Sequence, residues 1–181
     1  MKSTWLLGLA TCVLIAACSQ APQEAAQGPT PIGSIHELME DIVEPSADAV
    51  WDSTAILTDA KGVHNNAPTT PEQWEKVRHS ALTLVEVMNL VAMDGRHVIP
   101  EGEQMGAGGT LDAAAIQARL VQNHADFARH AASLQAVAVE ALRAIDARDL
   151  KKLDMAGAKI DAACEGCHLQ FWYPPRDEKK S

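Results

Sequence analysis

Apolar positions recur at helical spacing in four stretches of this chain of 181 residues. In the first, Ile35, Leu38, Met39, Ile42, Val43, Ser46, Ala49, Val50, Ser53, Ile56 and Leu57 fall on one face. Ser34 is placed to cap it, with Glu37 completing a capping box, and Pro45 predicts a kink or a split within it. The second starts with Thr70 as cap, Pro71 in the first position and Gln73 closing the box. Trp74, Val77, Ala81, Leu84, Val85, Met88 and Val91 make its stripe. The third is expected as a single helix from Leu111 to Ala147, with Ile116, Leu120, His124, Phe127, Ala131, Leu134, Ala138, Ala141, Leu142 and Ile145 inward. Asp149 caps the fourth, which carries Leu150, Leu153, Gly157, Ile160, Cys164 and Cys167 and stops at Pro174-Pro175.

No stretch alternates with the period of a strand. The links at 58–70 and 147–150 are short enough for antiparallel neighbours, whereas 94–110 is long and glycine-rich. The economical fold is therefore all-α: an antiparallel up-down-up-down four-helix bundle over residues 34–175. Composition agrees, since the 47% hydrophobic content leans on alanine, with only two Phe and one Tyr. Alanine favours packed helices and is a poor strand former. A formal charge of −9 excludes a general nucleic-acid binder, which needs lysine and arginine for phosphate.

The first residues read as an export signal: Met1-Lys2 is followed by an apolar run from Trp5 to Ala17, too short for a spanning helix. Leu14-Ile15-Ala16-Ala17-Cys18 resembles the bacterial lipobox, which makes 1–17 a lipoprotein signal peptide and Cys18 the lipidated first residue of the mature chain. Acyl chains there would anchor the protein to a membrane. The expected location is the periplasm. Ser19 after the cysteine, rather than Asp, resembles lipoproteins sent on to the outer membrane. Residues 18–33, rich in proline and glycine, then form a flexible tether, and 176–181 a charged tail.

The four cysteines divide without remainder. Cys12 leaves with the signal, Cys18 takes lipid, and Cys164 and Cys167 stay in the domain. Cys164-Glu165-Gly166-Cys167-His168 is CxxCH, the attachment motif of haem c. On a helix the two thiols share a face and can each add to a vinyl group of one porphyrin. His168 then reaches the iron as proximal ligand. A thioredoxin-like redox pair would sit in a βαβ pattern, which is missing, and a zinc site would need further nitrogen or sulfur ligands.

A haem motif on the last helix of a four-helix bundle resembles the class II c-type cytochromes, the cytochrome c-prime family. The similarity extends over roughly residues 34–175 as a pattern, and CEGCHLQFWYPP matches it in detail through Phe171, three positions after His168. The family often carries a basic residue just after that aromatic; here Trp172 stands there and Arg176 follows later. The resemblance implies one covalent haem c, redox proteins as partners and pairing of two copies into a homodimer through the first two helices.

The resemblance also implies that the first helix faces the distal side of the haem. Met39 is the candidate distal iron ligand, because a neutral thioether opposite His168 favours ferrous iron and suits electron transfer. The competing arrangement has Met39 filling the core and Leu38 over an open iron, which would make a five-coordinate module binding nitric oxide or carbon monoxide. An enzyme such as a peroxidase ranks third, since only His36 offers a distal polar group. His124 reads as a core histidine. Met105 reads as a loop residue, and Trp51, Trp74 and Trp172 as packing for the core or haem edge. The first expectation is an electron carrier and not an enzyme.

Overall fold

The computed structural model describes residues 28–105 and 109–175. The expected signal peptide, Cys18, the tether up to Gln27 and the tail 176–181 lie outside the described residues. The described residues are mostly helical, with one small two-stranded sheet among them.

Ser34 caps α1 (Ile35–Leu38) as expected: its backbone N–H donates to Glu37 Oε2 at 2.7 Å, and its hydroxyl accepts from the Glu37 N–H at 3.1 Å. A single π-helical turn, Met39–Val43, leads into α2 (Glu44–Asp52), with Pro45 as the second residue of α2. Instead of breaking the helix, Pro45 follows a turn that is one residue wider, so the chain keeps its helical course. The first helix ends earlier than its apolar pattern suggests. Ile56 and Leu57 lie in a hairpin of β1 (Ile56–Asp59) and β2 (Gly62–Asn65), 68% and 52% exposed. Gly62, at φ +128°, supplies the backbone conformation that closes this turn. The two β-branched residues Ile56 and Val63 and the register Thr58 opposite Val63 explain why a strand wins over a fraying helix end.

Helix α3 (Pro71–Val91) has the predicted Thr70–Gln73 box, and its whole predicted stripe is buried. The third helix is interrupted: α4 (Ala113–Gln122) stops at Asn123, whose φ −126° and ψ 35° leave helical space, and α5 (His124–Asp146) resumes at once. Asn123 turns its side-chain amide back onto the Arg119 carbonyl at 3.0 Å, a local bond that competes with helix continuation. After α5, Arg148 adopts φ 51° and the Asp149 N–H reaches back to the Ala144 carbonyl at 2.9 Å, which ends the helix sharply. Asp149 then caps α6 (Leu150–Phe171) through the Lys152 N–H.

The connection after α3 is firmly held in its first half. Arg96, 7% exposed, donates to the carbonyls of Leu90 and Gly33, while the His97 and Val98 carbonyls accept from the N–H groups of Ile35 and His36. Gln117 of α4 holds the same stretch through Val98 N–H and the Arg96 carbonyl. Helix α3 packs along α5, α5 along α6, and α2 against both α3 and α6. The core between them is aliphatic, with Leu84, Ala138, Ala141, Leu153 and Ile160 fully buried, and Phe127 meeting Phe171 edge to face at 5.5 Å.

Two glycines of α6 separate packing from propensity. A Cβ at Gly157 would lie 3.1 Å from Trp51 Cδ1, whereas one at Gly166 would have only His130 Cε1 at 3.9 Å. Gly157→Ala should lower stability by about 1–3 kcal/mol through overpacking. Gly166→Ala should raise it by roughly 0.5–1 kcal/mol, the helix-interior gain of alanine over glycine. Thermal denaturation of the two variants checks the opposite signs.

Candidate functional site

The last two turns of α6 place Cys164, Cys167 and His168 along one wall of a cavity of about 340 Å³. The spacing achieves this directly, because i, i+3 and i+4 positions share a helix face. Met39 and Val43 of the π turn and Ala47 and Trp51 of α2 line the same cavity. Met88 and Val91 of α3 and Phe127, Ala131 and Leu134 of α5 close its inner end. Glu44, Asp48, Asp161 and Glu165 are exposed and line the same cavity, so its mouth is edged by carboxylates.

Cys164, Cys167, His168 and Met39 therefore share one cavity, although the chain separates Met39 from the others by most of the domain. Leu38 does not line it; that side chain is 8% exposed and belongs to the core. His36 points elsewhere and pairs with Glu40 at 3.3 Å. His124 lines a different cavity, where its Nε2 is buried with no hydrogen-bond partner and lies 4.0 Å from Asp94. Met105 packs against the core from the loop. Trp51 forms part of the cavity wall, Trp74 is in the core, and Trp172 lies beside the His168 ring at a centroid distance of 6.3 Å.

His130 is on the cavity wall as well, a position the histidine spacing does not reveal. Its Nε2 is bonded to Gln170 Oε1 of α6 at 2.7 Å, and its ring meets Phe171 edge-on. The available signal was its place beside Ala131 and one turn after Phe127, at the margin of the α5 stripe. The carboxylate rim has the same explanation: Glu44, Asp48, Asp161 and Glu165 sit one step off the apolar rows of α2 and α6.

Both cysteines are free and half-buried. Burial, aided by the Asp161 carboxylate, pushes the Cys164 thiol up to about 11. Burial, with Cys164 next to it, pushes Cys167 up to about 12. Burial holds His168 below its ordinary value, with Glu165 opposing, so the imidazole is biased toward its neutral, metal-binding form. These are the opposite of redox-active thiols, which are activated at a helix N-terminus; this pair lies in the C-terminal turns of its helix. Among the described residues no group of three or more His, Cys, Asp or Glu side chains is arranged to hold a bare metal ion. A porphyrin brings four nitrogens of its own and asks the protein only for axial ligands and an apolar slot. The donor set and lining fit that need.

No known protein family, no characterised protein and no solved structure matches this chain. Among the described residues, no helix is long and apolar enough to cross a membrane.

The thiols provide a direct check on this environment. With both cysteines unmodified, alkylation at pH 8 should be at least about a hundredfold slower for Cys164 and about a thousandfold slower for Cys167 than for an exposed cysteine, and should speed up about tenfold per pH unit toward pH 11. The folded-state values lie above those of an unfolded chain. Their share of stability is thus whole below a pH of about 8.5 and is lost as pH rises toward 12. Iodoacetamide labelling and denaturant melts across this range measure both.

Proposed function

We propose that residues 34–175 form an antiparallel, up-down-up-down four-helix bundle holding one covalent haem c. On this reading the protein is a monohaem c-type cytochrome, anchored to a membrane through lipidated Cys18, that passes single electrons on the periplasmic side. The observation that carries the proposal is the shared cavity of Cys164, Cys167, His168 and Met39.

A haem bound there supplies a one-electron ferric/ferrous couple. Cys164 and Cys167 would hold it covalently through thioethers. His168, biased toward its neutral form by burial, would offer a lone pair to the iron. Met39, which lines the same cavity, would offer a thioether, a soft neutral donor suited to ferrous iron. Val43, Ala47, Val91 and Leu134 exclude water around these donors. The burial of Leu38 away from the cavity supports Met39 as the distal residue over the open, gas-binding arrangement.

The carboxylates of Glu44, Asp48, Asp161 and Glu165 give the mouth a negative field, which favours redox partners with a positive face. An electron carrier needs such encounters to be brief and frequent, and a membrane tether confines the search to a surface.

Absorption spectra of the exported protein test this. The ferric form should show low-spin bands with a sulfur-to-iron charge-transfer feature, and the ferrous form should not respond to carbon monoxide. Met39→Ala should become high-spin and gas-responsive; unchanged spectra in that variant would remove Met39 as ligand, and absence of haem would overturn the proposal. The carboxylate rim makes a separate demand on kinetics. Oxidation by a cationic ruthenium complex should slow by about tenfold from low to physiological ionic strength, and oxidation by ferricyanide should quicken.

A further inference from the structure

The π turn that precedes α2 is the feature that the function described so far does not use. We propose that Pro45 is the positioning residue for Met39: it imposes the wide turn that brings Met39 into line with the cavity-facing row of α2. The inference rests on the haem reading above for its purpose, but its geometry is a property of the chain itself.

In a continuous α-helix the pyrrolidine ring of Pro45 would meet the carbonyl of Asp41, four residues back, and the bond to that carbonyl would be lost. The structure avoids this arrangement by widening the turn before it. The Glu44 N–H donates to the Met39 carbonyl, five residues back, and not to that of Glu40. Pro45 itself is exposed and contributes nothing to the core, so its effect is on the backbone alone.

The consequence for side chains is a matter of angle. Successive residues of an α-helix advance by about 100°, so from Met39 to Ala47 an unbroken helix would drift by roughly 80°. An extra residue in one turn removes about 100° of that advance and leaves Met39 within roughly 20° of Ala47. Met39, Val43 and Ala47 accordingly all line the cavity that Cys164, Cys167 and His168 also line. Without the wide turn Met39 would swing round the helix and away from the cavity row. The usual association of π turns with functional sites has here a specific cause and a specific beneficiary.

The test uses the full-length, haem-loaded protein labelled with methyl-13C methionine, with Met39→Leu to assign the resonance. In the native protein the Met39 methyl should be displaced far from the ordinary methionine position by the porphyrin ring. Pro45→Ala should return it toward that position and abolish the sulfur-to-iron band, with helix content and melting temperature retained or increased. A native methyl at the ordinary position, or a Pro45→Ala protein that keeps both signals, overturns the inference. A displaced native methyl without the sulfur-to-iron band instead removes Met39 ligation while leaving its positioning intact. One readout needs no haem: coupling across the hydrogen bond should link the Glu44 amide to the Met39 carbonyl in the native chain and to the Glu40 carbonyl in Pro45→Ala. An acceptor that stays at Met39 in the variant overturns the role of Pro45 whatever the cavity holds.

Discussion

The cavity exists because α2 and α6 are locked together at one point, where Trp51 lies against Gly157. The indole N–H donates to the Gly157 carbonyl at 2.9 Å, and only the missing Cβ lets the ring come so close. One helix thus lends a backbone acceptor to the other, an anchor with a defined direction that apolar packing lacks. The cavity lining includes Ala47, Ala131 and Ala163 among its larger apolar side chains. Alanine at these places is why a slot is present where larger aliphatic side chains would have filled it.

The electrostatics of the slot follow from how its donors are shielded. The thiols and the imidazole are half-buried on an apolar wall, and their charged forms are disfavoured. The carboxylates stay in water, where the helices end their apolar rows. The cavity thus has a neutral interior inside a mouth edged by carboxylates.

Much of this was legible in the sequence, because the helices are amphipathic and their caps are chemically explicit. Ser34–Glu37, Thr70–Gln73 and Asp149 mark real helix starts, and the stripe of α3 is buried residue for residue. CxxCH located one wall of the site from local spacing alone. The misses share a cause, which is competition between local backbone geometry and a continuing apolar pattern. Ile56 and Leu57 sustain the helical period but follow Ser53 and Thr54, whose hydroxyls turn back onto the carbonyls of Val50 and Trp51, and the chain leaves the helix there. Asn123 interrupts the third helix by a similar bond. The first half of the connection after α3 is ordered by the buried Arg96 guanidinium, by Gln117 and by backbone bonds to Ile35 and His36, and periodicity carries no trace of these. His130 and the carboxylate rim became visible only when the facing helices were in place.

The hairpin at 56–65 has a different kind of importance. Its residues are exposed on both faces, and its strands pair with each other and with no further strand. Opening it removes no aliphatic contact from the interior, so it is decoupled from the cooperative unit that holds the slot. The segment is therefore free to diverge: its length, charge and tip can change across generations without disturbing the fold's centre. The same freedom makes Ala60 and Lys61 at its tip a natural place to attach a reporter.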